Sequence, residues 1–252
     1  PLLVLEALRT GYEWASDRLH RFVLEGMADN KAAFGDKPVR YYPYVETSHE
    51  AGSGLVDNLA AHASVVVTDD FPCFFIPRML KKTARRLPTL LEAVDSNGLL
   101  PMRAADSFFP TAYAFRRFLQ RELTPHLCEL PAPDPFAGAK IPEPTHVDPS
   151  ILAKWPEATD ELLEAGRKVL SELPIDHAIG PAAFSGGSSA AQDALQTFLD
   201  DKLNRYHEDR SQPEADVVSG LSPWLHFGHI SASDVFAQLA MRENWSPDKL
   251  AD

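Results

Sequence analysis

The chain has 252 residues, enough for one large domain or two ordinary ones, and 44% of them are apolar, as in globular rather than disordered proteins. Its net charge of −12 argues against a broad nucleic-acid-binding face, because binding to phosphates depends on Lys and Arg. No apolar run is long enough for a membrane span, and no secretory signal pattern is visible. The two cysteines, Cys73 and Cys128, lack metal-ligand spacing. We expect buried, reduced thiols and a cytoplasmic location.

The first half of the chain predicts helices that alternate with strands. An amphipathic helix is predicted over Tyr12–Phe34 and closes at Gly35. The segment "PVRYYPYV" is β-rich, although Pro43 makes its end a poor central strand. The run "SVVVTDD" is the clearest strand, and its continuous apolar residues are typical of a parallel strand buried on both faces.

Further predicted helices and strands continue this alternation up to Leu130, where the sequence becomes Pro-rich. Helices are predicted in "LVDNLAAHA", "FIPRMLKKTARRL" and "SFFPTAYAFRRFLQREL", and another strand in "LLEAVDSN". Such alternation gives a parallel α/β sheet. Residues 130–150 are Pro-rich and predict an extended connector lying over the surface. Only helices are predicted after it, beginning with "WPEATDELLEAGRKVLSEL", so the fold class is α/β followed by all-α.

Three patterns are weak candidates for a functional site. The glycines of 52–54 precede a helix but lack the third glycine and the Lys of known phosphate loops, so a simple turn is the better interpretation. Asp69 and Asp70 end a strand, yet adjacent strand residues point to opposite faces. His226 and His229 are three residues apart, with Gly228 between them and no third ligand. We therefore predict no catalytic residue and no metal site.

A long helix is predicted from Ser188 to Tyr206. Ser189 and Gln192 form a capping-box pattern at its start. An apolar stripe follows, which ordinarily packs in the core, and Tyr206 ends it at the rim, where its hydroxyl could reach a polar group. The stripe consists of Leu195, Phe198, Leu199, Leu203 and Tyr206.

The segment "VVSGLSPWLHFGHISASDVF", residues 217–236, is dense in helix start and stop signals. Ser222 is a natural N-cap, Pro223 suits the first helical position, and Gly228 suits the position just after the helix. Ser231 with Asp234 then predicts the cap of a further helix. The pattern predicts one short helix followed by a longer one.

Two interpretations of this segment remain open from the residues alone. The backbone N–H groups of Ser219, Gly220 and Leu221 precede a helix N-terminus, which is a favourable place for an anion such as phosphate. The simpler interpretation is a helical corner whose apolar side chains, Trp224, Leu225 and Phe227, lie in the core.

Three stretches resemble, in order and spacing, the photolyase/cryptochrome flavoproteins, most closely the class II DNA photolyases. "FSGGSSAAQDALQTFLDDKLNRY" resembles the Gly-Gly helix that opens the flavin-binding domain and ends in a flavin-contacting Tyr. "YHEDRSQP" is similar to the Arg-Asn/Asp-x-Pro segment that follows it. "VSGLSPWLHFGHIS" resembles the segment that holds the flavin phosphates, with Trp224 replacing the Tyr of the class II form. The resemblance is tight from Phe184 onward and loose from Val39.

The resemblance implies a domain layout and a set of cofactor contacts. Residues 1–129 would form a Rossmann-like α/β domain that lacks its first strand, 130–150 the connector, and 151–252 the beginning of an all-helical FAD-binding domain. At residue 218 the family's Thr is replaced by Val, so only its backbone N–H could serve the phosphates. The implied FAD contacts are Tyr206, Val218, Ser219, Gly220, Leu221 and Ser222.

The implied activity is light-dependent DNA repair, in which reduced FAD passes an electron to a cyclobutane pyrimidine dimer flipped out of the duplex. The implied partner is UV-damaged DNA, bound through parts downstream of this sequence, with no membrane partner and a monomeric state. We expect the sequence to be part of a longer protein, and to bind FAD weakly and repair nothing alone. The alternatives are a cryptochrome-like blue-light photoreceptor and a flavin-free interaction domain, which Val218 favours slightly.

Overall fold

The computed structural model describes residues 1–144 and 146–250. Strands and helices alternate first: β1 (Leu3–Leu8), α1 (Asp17–Phe34), β2 (Arg40–Val45), α2 (Leu55–Ala60), β3 (Val65–Asp69), α3 (Ile76–Arg86), β4 (Leu90–Val94) and α4 (Ala112–Leu127). Helices follow: α5 (Pro149–Lys154), α6 (Asp160–Leu163), α7 (Arg167–Leu170), α8 (Gly187–Thr197), a π-helical segment (Phe198–Lys202), α9 (Leu203–Asp209), α10 (Ser222–Phe227) and α11 (Ala232–Arg242). Within the described ranges, none of these helices has the length and apolar character needed to cross a membrane.

The strands pair in parallel, as predicted. β1 runs alongside β2 with Leu3 opposite Arg40, and β3 runs alongside β4 with Val65 opposite Leu90. Over the described residues these are two separate two-stranded sheets rather than one larger sheet. No strand was predicted for the residues of β1. Pro43 lies inside β2, whose only strand partner in the described chain is β1, and a residue without an N–H is tolerated at such an edge.

The contacts divide the chain into two compact units, 1–59 with 136–230 and 60–135 with 231–252. In the first unit, α1 packs on β1 and β2, with Leu24 and Met27 fully buried. Their apolar cluster continues into α6 and α7 through Leu163 and Leu170. A second cluster surrounds Trp155, which is 2% exposed. These core contacts hold α1 in place, and side chains of α1 contact the candidate site described below.

The exposure of β3, in the second unit, contradicts the expectation that this strand is buried on both faces. Val65 is 42% and Val67 is 59% exposed, so the strand is not buried on both faces within its unit. β3 pairs only with β4 among the described residues, and alternate side chains of a strand point to opposite faces. One face of this two-stranded sheet therefore stays open within the unit.

Both cysteines lie at exposed positions, so the predicted burial of their thiols is wrong. Cys73 lies in the irregular segment between β3 and α3, and Cys128 is the C-cap of α4. Connecting segments and helix ends lie at the surface because their backbone groups need solvent or capping partners. The apolar neighbours of Cys73 in the sequence did not reveal this.

Two predicted helices have different limits in the structure. α1 begins at Asp17 rather than Tyr12, because Asp176 ties the preceding turn: Asp17 N donates to Asp176 O at 3.1 Å, and Asp176 N donates to Ala15 O at 2.8 Å. The single helix predicted after residue 155 is instead the pair α6 and α7, each four residues long. Ala165 between them has a left-handed φ of +52°, which a continuous helix cannot contain.

Candidate functional site

Residues 217–221 form a loop that projects outward between two buried side chains. Val217 and Leu221 are each 2% exposed, whereas Val218 between them is 48% exposed. Gly220 has a φ of +67°, and no neighbouring atom lies within 4 Å of the place where a Cβ would be. A left-handed φ is strained for residues with a side chain, so glycine at this position lets the loop turn with its backbone open.

The main chain of this loop has uncommitted donors. Ser219 Oγ accepts a long hydrogen bond, 3.5 Å, from the N–H of Leu221. The N–H groups of Ser219 and Gly220 donate to no acceptor among the described residues. Exposed N–H groups at the start of a helix attract anions. The loop therefore leaves two main-chain donors open, as an anion site at this position would require, and anion binding by the loop stays a prediction.

The helix after the loop begins one residue earlier than predicted. Ser222 is the first residue of α10, and Leu221 is its N-cap, with no side-chain capping bond. The carbonyl of Leu221 accepts the first helical hydrogen bond, from Leu225 N at 3.0 Å, which is the property that defines an N-cap. The Ser222 side chain is therefore not used as a cap, and Pro223 occupies the second helical position.

The end of α10 and the start of α11 are as predicted. Gly228 is the C-cap in the left-handed conformation, with a φ of 72°. Gly228 N donates to Leu225 O at 3.4 Å, and His229 N donates to Trp224 O at 2.9 Å, the paired bonds of a Schellman motif. Ser231 caps α11 by accepting from Asp234 N at 3.0 Å. These predicted caps are confirmed.

An aromatic cluster anchors α10 within the first unit. Trp224 is 8% exposed, and its indole N–H donates to Ser185 O at 3.1 Å. Its ring lies 5.2 Å from that of Phe184 and 6.1 Å from that of Phe22 on α1. Leu225, by contrast, is 41% exposed, so the expectation that it lies in the core is wrong. The helical corner and the open loop coexist, because only one side of α10 faces the core.

The N-terminus of α8 is capped from elsewhere in the chain, so the predicted capping box of Ser189 and Gln192 is wrong. The helix begins at Gly187, and its N-cap, Gly186, has no side chain to offer. Carboxylates of α1 take this role instead: Glu25 accepts from Gly186 N at 2.6 Å, and Asp29 accepts from Ser189 N at 2.8 Å. Negative charge near a helix N-terminus is favourable. The only sequence signal for this was two acidic residues four positions apart on α1.

His229 completes this cap. Its Nδ1 accepts a hydrogen bond from Gly187 N at 2.9 Å, and its ring stacks on Phe22 at 4.8 Å. Burial lowers the pKa of His229, although Asp29 and Glu25 raise it in part. The ring is therefore neutral at physiological pH, as an acceptor at Nδ1 must be. Sequence reasoning considered His229 only as a metal ligand and missed this contact.

Tyr206 lies on α9, beyond the π-helical segment. Its ring packs edge-on against Phe198 at 5.4 Å, and the Arg210 guanidinium lies over it at 5.7 Å. The side chain is half-buried, as expected for the rim of an apolar stripe. In the described chain, no hydrogen bond or ring contact joins Tyr206 to the loop. Its assignment as a FAD contact stays a prediction from the resemblance.

The weaker candidates have structural partners. Gly52 N donates to the buried carboxylate of Glu46 at 3.2 Å, as a turn would. Asp69 accepts from Ser96 at 2.7 Å, and Asp70 forms an ion pair with Arg103 at 2.7 Å. Over the residues that the structure describes, no three His, Cys, Asp or Glu side chains come together as metal ligands.

Two photo-lyases resemble this chain over most of its length, and a cryptochrome resembles a shorter part of it. A photo-lyase from Methanothermobacter thermautotrophicus is 26% identical over 232 residues, covering 92% of this chain and 47% of the relative. One from Arabidopsis thaliana is 30% identical over 174 residues, covering 68% and 33%. A cryptochrome from Sinapis alba is 32% identical over 112 residues, covering 43% and 22%. The chain belongs to the photolyase and cryptochrome family.

Structural similarity supports the same family fold. A bacterial class III photolyase from Agrobacterium tumefaciens superposes with a TM-score of 0.61 at 20% identity, covering 100% of this chain and 50% of that one. No family model matches the chain. The chain spans about half the length of the archaeal photo-lyase and less of the plant relatives. The structural match shows a photolyase-like fold, and because the chain covers only part of each relative, the activity of a whole protein does not follow from these matches.

Proposed function

We propose that this chain forms the α/β part and the beginning of the FAD-binding part of a light-dependent DNA-repair enzyme, most like the class II photolyases. The observation that carries the proposal is the loop of 217–221, which presents free N–H groups beside α10. It lies in the segment that resembles the family's phosphate-holding sequence.

The residues of the loop suit the diphosphate of FAD. The N–H groups of Ser219 and Gly220 would donate to phosphate oxygens, as would those of Val218 and Ser222. Leu221 would contribute through its main chain, because its side chain is buried. No acidic residue lies within 217–222. The carboxylate just before the loop, Asp216, is paired with Lys202 at 2.9 Å, which reduces its repulsion of an anion.

Reduced FAD, if bound there, would supply on illumination an electron that splits a cyclobutane pyrimidine dimer and then returns to the flavin. The chain's part in this is to hold and orient the cofactor, with Tyr206 as a further contact. The substrate would be UV-damaged DNA, whose weakened stacking at the lesion favours flipping. We expect a monomer in the cytoplasm, weak FAD binding by these 252 residues, and repair only by a protein that contains them together with the rest of the site.

FAD titration of the chain, followed by flavin fluorescence, tests the loop assignment. Gly220→Val places a β-branched side chain at a left-handed φ in the loop, and we expect at least about tenfold weaker binding, or about 1.4 kcal/mol. Gly138→Val is the matched control, because Gly138 has a φ of +73° and equally open surroundings. We expect FAD binding by this variant to be unchanged. An equal loss of FAD affinity in both variants would show that the loop is not part of the FAD site.

The cryptochrome relatives support a second candidate, a blue-light photoreceptor with the same cofactor. Repair and signalling separate in a full-length protein that contains this chain. Illumination of dimer-containing DNA should restore thymines if the proposal is right. A flavin that is photoreduced without any repair would support the photoreceptor. A purified protein without flavin absorption would support the flavin-free interaction domain instead.

A further inference from the structure

Helix α3 carries a basic face that the flavin site does not involve. Its cationic residues recur at steps of three and four, the spacing that places side chains on one side of a helix. They fall within nine consecutive positions of a chain whose overall charge is −12. The face, called the α3 basic face, consists of Arg78, Lys81, Lys82, Arg85 and Arg86.

Most of this positive charge is not neutralised. Four of the five side chains form no ion pair with any residue that the structure describes, namely Arg78, Lys81, Lys82 and Arg85. Arginines elsewhere do pair with carboxylates, for example Arg21 with Glu25 and Arg40 with Glu157. The five basic residues alone line an open depression of about 550 Å³.

The fold of the unit turns this face outward. The five basic side chains are exposed, whereas on the opposite side of α3 Ile76 and Leu80 are half-buried and Leu87, the C-cap, is 8% exposed. Like charges three and four residues apart repel one another on a helix. The chain has 36 acidic residues against 24 basic ones, yet none lines the depression. An external polyanion would relieve this repulsion.

We propose that the α3 basic face binds the phosphate backbone of duplex DNA without reading its bases. A helix of 11 residues is about 16 Å long, and a DNA duplex presents one charge per roughly 1.7 Å of its axis. Several phosphates therefore lie within reach of the face. Lys and Arg contacts to phosphate position a protein on DNA but carry no sequence information.

The contact is narrow and does not depend on FAD. The overall negative charge still excludes a broad DNA-binding surface, so the affinity is modest and strongly reduced by salt. Binding of undamaged duplex DNA in the dark involves neither FAD nor a pyrimidine dimer, so it can be measured separately from the proposed repair function. If one of the two proposals fails, the other can still be tested.

Fluorescence anisotropy of a short, undamaged, mixed-sequence duplex at several salt concentrations tests the proposal. The chain should bind with a logarithmic salt slope of about −4, since each neutralised phosphate contributes about −0.9. A variant with four Gln substitutions should lose about 3.6 of that slope and at least about tenfold in affinity at low salt. The substitutions are Arg78→Gln, Lys81→Gln, Lys82→Gln and Arg85→Gln.

Two further variants serve as controls for this experiment. A matched control removes the same charge from exposed positions elsewhere and should keep the slope; its changes are Arg116→Gln, Arg117→Gln, Lys140→Gln and Lys168→Gln. The pair Arg78→Lys with Arg85→Lys keeps the charge and should keep binding. Circular dichroism checks that each variant is folded.

Three results would overturn the proposal. The first is an unchanged slope in the α3 variant, and the second is an equal loss in the matched control. The third is tighter binding to anionic vesicles or to polyglutamate than to the duplex at the same salt concentration. The vesicles are included because Phe74 and Phe75, just before α3, are 76% and 57% exposed and could enter a membrane surface.

Discussion

Two helix N-termini in the first unit, those of α8 and α10, are built in opposite ways. At α8 the N–H groups of Gly186, Gly187 and Ser189 donate to side chains from distant parts of the chain. At α10 the preceding loop projects outward, and the N–H groups of Ser219 and Gly220 donate to no described residue. Donors that are satisfied internally stabilise the fold, whereas exposed donors are available to a ligand.

The largest expected effect concerns Trp224, the buried side chain that holds α10, and the loop before it, in place. Trp224→Ala removes a buried ring and its hydrogen bond to Ser185, and we expect the free energy of unfolding to fall by about 3–5 kcal/mol. Leu225→Ala, on the exposed side of the same helix, should cost about 1 kcal/mol or less. Urea unfolding of both variants measures this difference. Equal losses would mean that α10 is not anchored through Trp224.

The next effect concerns the close approach of α8 to α1. A Cβ at Gly186 would lie 1.9 Å from Phe22 O, so Gly186→Ala must displace backbone and should cost about 2–3 kcal/mol. Gly180→Ala is the control, since no atom lies within 4 Å of its Cβ position. Thermal unfolding of the two variants compares them. A Gly186→Ala variant as stable as the control would contradict the close packing.

Acidic pH should weaken the α8 cap. Burial lowers the pKa of His229, so below about pH 6.5 the unfolded chain binds a proton that the folded chain resists. The contribution of His229 to the unfolding free energy is then constant above that pH and falls below it, by up to roughly 1.4 kcal/mol per pH unit for one proton. His20, also buried, has its pKa lowered in the same direction.

His229→Asn isolates the contribution of His229, because the Asn oxygen can still accept from Gly187 N. The fall in unfolding free energy between pH 6.5 and about 5 should be clearly smaller in this variant, leaving the contributions of the other titrating groups, among them His20. Urea unfolding at a series of pH values measures it. An unchanged pH dependence would show that His229 does not titrate with folding.

The smallest expected effect is that of removing a single capping carboxylate. Asp29→Ala deletes the acceptor for Ser189 N and should lower the unfolding free energy by about 1 kcal/mol. Asp36→Ala, at an exposed position after α1, should change it by less than about 0.5 kcal/mol. Neither change should alter FAD binding. A loss of FAD affinity in Asp29→Ala alone would mean that the two helix starts are coupled.

The parts of the site that rest on local backbone chemistry could be predicted from sequence. Gly228 as a left-handed C-cap and Ser231 as an N-cap follow from residue type and spacing, and both are confirmed. Ser222 was misplaced by one position, because Leu221 supplies the first helical carbonyl. The capping box at Ser189 failed for a different reason, since its donors are taken by side chains more than 150 residues away in sequence.

The same distinction applies to the fold. Hydrophobic patterns indicated the helices and most strands, and the parallel pairing of the strands followed from their alternation with helices. Burial could not be obtained in this way: Val67 of β3 and Cys73 have apolar neighbours in the sequence but are exposed. Exposure depends on which elements pack against a segment, and a local pattern does not contain that information.

The sequence by itself determined the family resemblance, most of the order of the elements and the caps at Gly228 and Ser231, because each is encoded in short stretches of the chain. Only the tertiary structure decided that Glu25, Asp29 and His229 cap α8 and that Trp224 anchors α10. It also decided that the α3 basic face has few acidic partners. These properties arise from contacts between segments far apart in the chain, and their energies exist only when the folded backbone brings those segments together.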